Sequence, residues 1–431
     1  MVDNNLLYKH QYGFLKGKST EHNLLHLINK VGEAINEDKY CIGIFLDLKK
    51  AFDVVSHDIL LKKLKHLGIN GTALKWFKSY LSNRTQRVDI NGNLSDLKNL
   101  DISVLQGTIL GPILFLCFIN DLPLSTDLLA FMFADDTSCT AAGANLPLLI
   151  QHVNTELQKL ANWFRANKMA VNISKTKFII FHGKGKKVDL NGLKVSFNQN
   201  EIGKTEDPRL ITPLERIYNE HANKDSRTYK LLGVQLDETL SFKTHIESTA
   251  KKLSKSIYCM SRAKNLLSNK SLRSLYFALI HPHLLYCINI YSCAAPSNLK
   301  RLITLQKKAI RLINRAPALA HTQELFTSSK ILPLEKLMQQ GKLIFMHSIE
   351  YGYGPPTFFI IWQKNHERHP NAQNLRNAND YYLPAIRVDS FKKIPLYSLP
   401  YEWNKLPPQI KFQFNRTTFK RALKEHLLEG Q

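Results

Sequence analysis

Phe131-Met132-Phe133-Ala134-Asp135-Asp136 is an apolar run that ends on two adjacent aspartates. With the Thr137–Thr140 stretch that follows, it reads as a hairpin over 131–140 carrying Asp135 and Asp136 at its turn. Two neighbouring carboxylates repel at neutral pH, which costs stability unless a cation offsets it. A second stretch ends in the same way. Ile42-Gly43-Ile44-Phe45-Leu46-Asp47-Leu48 belongs to a buried strand over 41–48, and Asp47 stands where that strand leaves the core. Either feature alone is more often a solvated turn or an ordinary strand end. Together, three carboxylates from two strands can hold two Mg²⁺ ions roughly 3.5–4 Å apart, an arrangement suited to in-line displacement at phosphorus.

Outward from these strands, helix and strand signals alternate up to residue 183. Ser19 precedes a helix over 20–36 with Leu24, Ile28, Val31 and Ile35 on one face. Ser56 can cap a helix carrying Leu60, Leu64 and Leu67 that stops at Gly68, and a further helix holds Leu74, Phe77 and Leu81. Short strands are expected at 86–90 and 100–105. An apolar helix follows Pro112 through Leu114, Phe115 and Phe118. Pro147 opens a helix that ends near Asn167, and 177–182 reads as a strand. Gly, Lys, Asn, Asp and Pro accumulate over 184–228, which reads as a loop-rich insertion. Strand character returns at 229–236. Helices are expected near 243–264, 268–288 and 297–315, whereas 317–431 shows no firm architecture.

The charge balance narrows the partner class. Lys and Arg number 59 against 35 Asp and Glu, a net charge of +24 over 431 residues. Such a field favours polyanions, either nucleic acid or an anionic membrane surface. No run of 18 apolar residues is present, so a transmembrane span is not expected, and nucleic acid rather than a membrane is the partner expected. Residues 1–9 lack the apolar region of a signal peptide, and six cysteines lack framework spacing, which together suggest reduced thiols inside the cell, in the nucleus and/or cytoplasm. His281, His283, Cys287 and Cys293 fit no zinc spacing. His10, His22 and His57 have no Ser or Cys arrangement that suggests a hydrolase.

Six motifs in order resemble the reverse transcriptase of non-LTR retrotransposons of the jockey and CR1-like kind. Gln11-Tyr12-Gly13-Phe14 with Ser19-Thr20 is similar to the family's fingers motif. Phe45-Leu46-Asp47-Leu48-Lys49-Lys50-Ala51-Phe52-Asp53, continued by His57, resembles the first palm motif. Gln106-Gly107-Thr108-Ile109-Leu110-Gly111-Pro112 and Phe118-Ile119-Asn120-Asp121-Leu122 resemble the second. Phe133-Ala134-Asp135-Asp136 is similar to the third, Asn172-Ile173-Ser174-Lys175-Thr176 to the fourth, and Leu232-Gly233-Val234 to the hairpin that grips the primer end.

The resemblance implies an α+β right-hand polymerase: fingers and palm, built on an antiparallel sheet with helices, followed by a helical thumb. The expected ranges are 1–183 for fingers and palm, 184–228 for the insertion, 229–240 for the primer-grip hairpin and 241–316 for the thumb. It implies RNA-directed DNA synthesis, adding dNTPs to a DNA or RNA primer on an RNA template. Asp47, Asp135 and Asp136 would bind two Mg²⁺ ions, with Mn²⁺ able to substitute, and the Leu48 carbonyl would be a further ligand. Phe52 would lie beneath the incoming sugar and leave no room for a 2′-hydroxyl. Gln106 and Gly107 would line the nucleotide pocket, and Lys175 would meet the pyrophosphate.

The family's fingers motif carries arginine after Gly-Phe, where this chain has Leu15; Lys16 or Lys18 would then take the triphosphate, as point charges without a bidentate fork. Viral RNA polymerases, which share the palm, place an aspartate where Phe52 stands and glycine where Ala134 stands, so both residues favour DNA synthesis. In the expected thumb, Lys251, Lys252, Lys255, Arg262, Lys264, Lys300, Arg301, Lys307, Lys308, Arg311 and Arg315 would meet duplex phosphates. No endonuclease precedes Gln11, so the chain is expected to derive from a truncated element. The alternative is a non-catalytic RNA-binding remnant. The sequence is silent on oligomeric state.

Overall fold

Residues 41–46 are buried along their whole length, because Ile42, Ile44 and Leu46 point to one side of the strand while Cys41 and Phe45 point to the other. A strand apolar on both faces must lie inside a sheet. The computed structural model describes residues 6–199, 207–219, 227–368 and 377–429, and places this strand, β1 (Tyr40–Leu46), at the centre of five. The others are β2 (Leu129–Phe133), β3 (Asp136–Gly143), β4 (Lys177–Phe181) and β5 (Glu215–Ile217), in the order β5-β4-β1-β3-β2. β1 and β2 both pair antiparallel with β3, and β5 runs parallel to β4.

The longer helices are α1 (Thr20–Asn36), α2 (His57–His66), α3 (Gly71–Leu81), α4 (Leu110–Ile119), α5 (Leu146–Ala166), α6 (Lys243–Ala263), α7 (Asn269–Leu279), α8 (Pro296–Ile313), α9 (Leu334–Glu350), α10 (Pro395–Asn404) and α11 (Arg416–Glu429). The chain forms two compact units. The first comprises Met1–Ser19, Lys39–Ile180 and Gly185–Ile217; the second comprises Thr20–Asp38, Phe181–Lys184 and Tyr218–Gln431.

In the first unit, Leu60 and Leu64 of α2, Phe115 and Phe118 of α4, and Val153, Leu157 and Leu160 of α5 share one core with Ile42, Ile44 and Leu46. The buried Glu156 on α5 accepts from the Thr126 hydroxyl at 2.9 Å and the Asp127 amide at 2.6 Å, which fixes the approach to β2. Helix α4 starts two residues before Pro112, since a proline in the first helical turn sacrifices no intrahelical bond. Ser56 stands at the N-terminus of α2, but its hydroxyl makes no capping bond.

The expected strands at 86–90 and 100–105 are instead two short ladders, Arg84–Gln86 with Lys98–Leu100 and Asp89–Ile90 with Asn93–Leu94. Residues beyond 100 are drawn off by backbone bonds from Ser103 to Val55 and from Val104 to Phe52, both 2.9 Å. The loop-rich reading of 184–228 is corrected in part: Ser196–Asn198 pairs with Ile211–Pro213, and β5 joins the main sheet. Residues 200–206 and 220–226 of that stretch lie outside the described residues, as do 1–5, 369–376 and 430–431.

The second unit gathers α1 and α6–α11. The ranges expected from sequence do not coincide with the two units, because α1 makes its contacts hundreds of residues away. Asn36 accepts from the Arg387 amide and donates to the Ala385 carbonyl, both at 2.9 Å, and Glu21 accepts from the Asn289 amide at 3.0 Å. The helix expected over 268–288 is broken after Leu279. Pro282 removes a donor, Cys287 adopts a left-handed φ of 52°, and short helices His281–Leu285 and Ile288–Tyr291 result. Residues 317–431, with no firm architecture in the sequence, contribute α9, α10 and α11.

Candidate active site

Strand pairing brings the aspartates together. The β1–β3 ladder ends with Leu46 opposite Thr137, so Asp47 and Asp136 face each other one step further on. Directly opposed residues in an antiparallel pair have Cβ atoms about 4.5–5.5 Å apart, and like charges there are destabilising. The β2–β3 hairpin closes with Phe133 opposite Asp136, leaving a two-residue turn of Ala134 and Asp135. Ala134 takes the left-handed conformation (φ 57°) that such turns ask of their first residue.

The electrostatics record the crowding. Burial first, and then the Asp47 charge, raise the Asp135 carboxyl above the usual range. Asp136 has a surface open to solvent, yet packing around it removes hydration. That burial, followed by the Asp135 and Asp47 charges, pushes it to about 6.

Two loops brace the carboxylates. The Asp47 carbonyl accepts from the Asn172 amide at 2.7 Å, and the Asp47 amide donates to the Thr176 hydroxyl oxygen at 3.2 Å. Leu48 makes an antiparallel bridge with Val171. On the other side, the Gln11 side chain accepts from the Gly13 amide at 2.8 Å and the Ala134 amide at 3.0 Å.

Oxygen donors carrying mutual repulsion fit a hard divalent cation. Among the described residues no three His, Cys, Asp or Glu side chains stand close enough to hold an ion by themselves. Mg²⁺ does not need such a cage, since it binds through one or two carboxylates together with water and substrate phosphates.

Paired aspartates on a hairpin, with a third opposite them on the central strand of an antiparallel ladder, are the arrangement of a right-hand polymerase palm. Sequence comparison agrees: residues 1–236, more than half the chain, match the family described as reverse transcriptase (RNA-dependent DNA polymerase). The chain belongs to the reverse transcriptase family.

The chain is 29% identical over 345 residues to the RNA-directed DNA polymerase from mobile element jockey of Drosophila melanogaster, covering 77% of this chain and 34% of the relative. It is 27% identical over 328 residues to the probable RNA-directed DNA polymerase from transposon BS of the same organism, covering 74% of this chain and 34% of the relative. The chain therefore spans about a third of the length of these relatives. A telomerase structure from Candida albicans, solved with a fragment of telomeric RNA, aligns at a TM-score of 0.31 and 16% identity over 71% of this chain and 43% of that one.

The other residues anticipated from the sequence take these positions. Phe52 stacks on Phe115 with centroids 4.4 Å apart, and the exposed Phe14 meets its edge at 6.3 Å. The Gln106 amide donates to Asp53 at 2.8 Å, so it stands beside the turn that carries Phe52, and Gly107 uses a φ of 77°. Lys175 is exposed at the turn after Asn172, and Lys16 is exposed.

Lys18 differs from the expectation of a triphosphate clamp. Its ammonium donates to the carbonyls of Gln11 at 2.7 Å and Lys9 at 3.2 Å, and burial lowers it to about 8. In the helical unit, Tyr229–Leu231 and Val234–Leu236 form the expected hairpin. The Tyr286 hydroxyl donates to the Leu232 carbonyl at the hairpin turn, at 2.7 Å. Arg311 and Arg315 are committed to the protein, donating to Ala320, Leu267 and Asn269. Lys251, Lys252, Lys255, Arg262, Lys300, Arg301, Lys307 and Lys308 are exposed.

Reading the motifs left two bracing side chains without a role, Gln11 and Thr176. Gly13 beside Gln11 was the available signal, because glycine permits close backbone approach.

Proposed function

We propose that this chain is the polymerase core of an RNA-directed DNA polymerase, adding dNTPs to the 3′-hydroxyl of a DNA or RNA primer on an RNA template. The observation that carries this reading is the strand register that sets Asp47 opposite Asp136 with Asp135 in the adjoining turn. Asp47, Asp135 and Asp136 would hold the divalent ions, two Mg²⁺ with Mn²⁺ able to substitute, and the Leu48 carbonyl is a further candidate ligand. Bound there, such ions supply a lowered pKa at the primer hydroxyl and neutralisation of charge on the leaving pyrophosphate.

The chain's own residues do the positioning. Asn172 and Thr176 hold the backbone of Asp47 from both sides. Phe52, fixed by its stack on Phe115, fills the space beneath the sugar and selects against a 2′-hydroxyl. Gln106, oriented by Asp53, and Gly107 border the nucleotide pocket. Lys16 and Lys175 remain as exposed cations for the phosphates, and the exposed lysines and Arg262 and Arg301 of the helical unit would follow the duplex backbone.

The test is incorporation of dNTPs on a homopolymer RNA template with Mg²⁺. Incorporation is expected in the wild type, and Asp135→Ala is expected to remove it. RNA binding with no incorporation by the wild type would favour a non-catalytic remnant. Preference for rNTPs would favour an RNA polymerase.

A further inference from the structure

The segment before α1 reaches the Asp135–Asp136 turn by a route separate from the carboxylates. Residues 10–12 lie along β2 as a short parallel extension: the Met132 amide donates to the His10 carbonyl at 3.0 Å, and the Tyr12 amide donates to the Met132 carbonyl at 2.8 Å. Gln11, in the middle, is 2% exposed. Its single Oε1 atom takes two backbone donors, Gly13 at 2.8 Å and Ala134 at 3.0 Å. The backbones are in contact, since a Cβ added to Gly13 would lie 2.2 Å from the Ala134 nitrogen.

Ala134 is the residue on which the turn depends. Its φ of 57° is left-handed, a conformation that is unfavourable for a non-glycine residue and persists only where surroundings enforce it. A buried amide in such a residue needs an acceptor, and water is shut out because Ala134 is 4% exposed. Gln11 supplies that acceptor as a neutral oxygen. A carboxylate there would add a buried charge beside an already acidic turn.

We infer that Gln11 is a positioning residue, whose carboxamide oxygen fixes the backbone at Ala134 and so sets the direction in which the Asp135 and Asp136 carboxylates leave the turn. This rests on the reading of those aspartates as the catalytic pair. Gln11 itself touches no reacting group. Its effect is on turnover rather than substrate affinity, because a displaced carboxylate misaligns the attack after both substrates have bound.

The experiment uses the full chain in primer extension with Gln11→Met, which keeps length and volume but loses the strong acceptor. The expected result is a fall in kcat of about tenfold to a hundredfold. The dNTP KM and primer–template Kd are expected to stay within about twofold, and the Mg²⁺ concentration for half-maximal rate to rise severalfold. Hydrogen exchange of the 131–137 amides in the free protein should accelerate. Wild-type kcat and Mg²⁺ dependence in Gln11→Met overturn the proposal, as does a fall in kcat with an unmoved Mg²⁺ midpoint.

If Gln11→Met does not fold, Gln11→Asn, whose acceptor is one methylene short, must show the shifted Mg²⁺ midpoint at an unchanged Tm; an unshifted one overturns it. Activity surviving Asp135→Ala would remove the catalytic reading itself. A dead Asp135→Ala beside a wild-type-like Gln11→Met would remove only the positioning role.

Discussion

Phe52 shows how one side chain serves packing and selection together. Its half-buried ring stacks on Phe115 at an interplanar angle of 26°, so it cannot swing away from the strand end that carries Asp47. Phe52→Ala is expected to cost on the order of 2 kcal/mol of stability, less than a fully buried phenylalanine would. It is also expected to raise rNTP use relative to dNTP use in primer extension. Unchanged sugar selectivity would leave Phe52 as a packing residue only.

Glu21 provides a titration at the same scale. Burial, opposed by hydrogen bonds from Asn289, raises its carboxyl to about 7, with Tyr286, Cys287 and Tyr291 as its titratable neighbours. Below pH ~4.5 the folded and unfolded chains both hold the proton, and the contribution to stability is fully present. As the pH rises toward 7 the unfolded chain ionises first, so stability is lost, on the order of 3 kcal/mol. Thermal melts should show Glu21→Gln matching the wild type at pH 4.5 and exceeding it at pH 8. A difference that does not vary with pH would contradict this account.

Among the elements, the start of α6 hangs on one buried carboxylate. Asp237, at the end of the 229–236 hairpin, accepts from the amides of Thr239 at 3.1 Å, Ser241 at 3.0 Å and Phe242 at 3.0 Å, and from the Thr239 and Ser241 hydroxyls at 2.8 and 2.9 Å. Phe242 enters the helix at a left-handed φ of 54°, which this clasp enforces. Asp237→Ala strands several buried donors at once, and a loss of about 2–4 kcal/mol is expected in chemical denaturation. Asp237→Asn, which keeps one acceptor oxygen, should lose less. Equal losses would mean that the acceptor count is not what matters. The hairpin, its turn at Leu232 and Gly233, and α6 are thereby joined as one supported element.

For the whole molecule, the +24 charge predicts behaviour that no single residue does. If exposed lysines on α6 and α8 meet duplex phosphates, primer–template affinity should fall steeply and log-linearly with salt. Lys300→Glu with Lys307→Glu should then lower the slope by about 0.9 for each phosphate contact removed, and leave the choice of nucleotide unchanged. Arg311 and Arg315 should contribute little to that slope, since their guanidinium groups already donate to backbone carbonyls. Fluorescence anisotropy across a salt series measures both. A flat salt dependence would mean that the basic faces are only solvated.

By itself the sequence determined what is local. The apolar run into Asp47, the hairpin around Asp135 and Asp136, and the amphipathic faces of α1, α5, α6 and α8 follow from periodicity, capping residues and breakers within a few neighbours, and the motif order carries the family. Tertiary structure decided what depends on residues far apart. It set the register that faces Asp47 with Asp136 and the bond from Gln11 to Ala134 across 123 positions. It also decided the loss of Lys18 to two carbonyls, the strands within 184–228, and the attachment of α1 to residues 289 and 385–388. The reason is physical: a buried backbone amide or carbonyl must find a partner, and only the folded chain settles which distant group is near enough to be that partner.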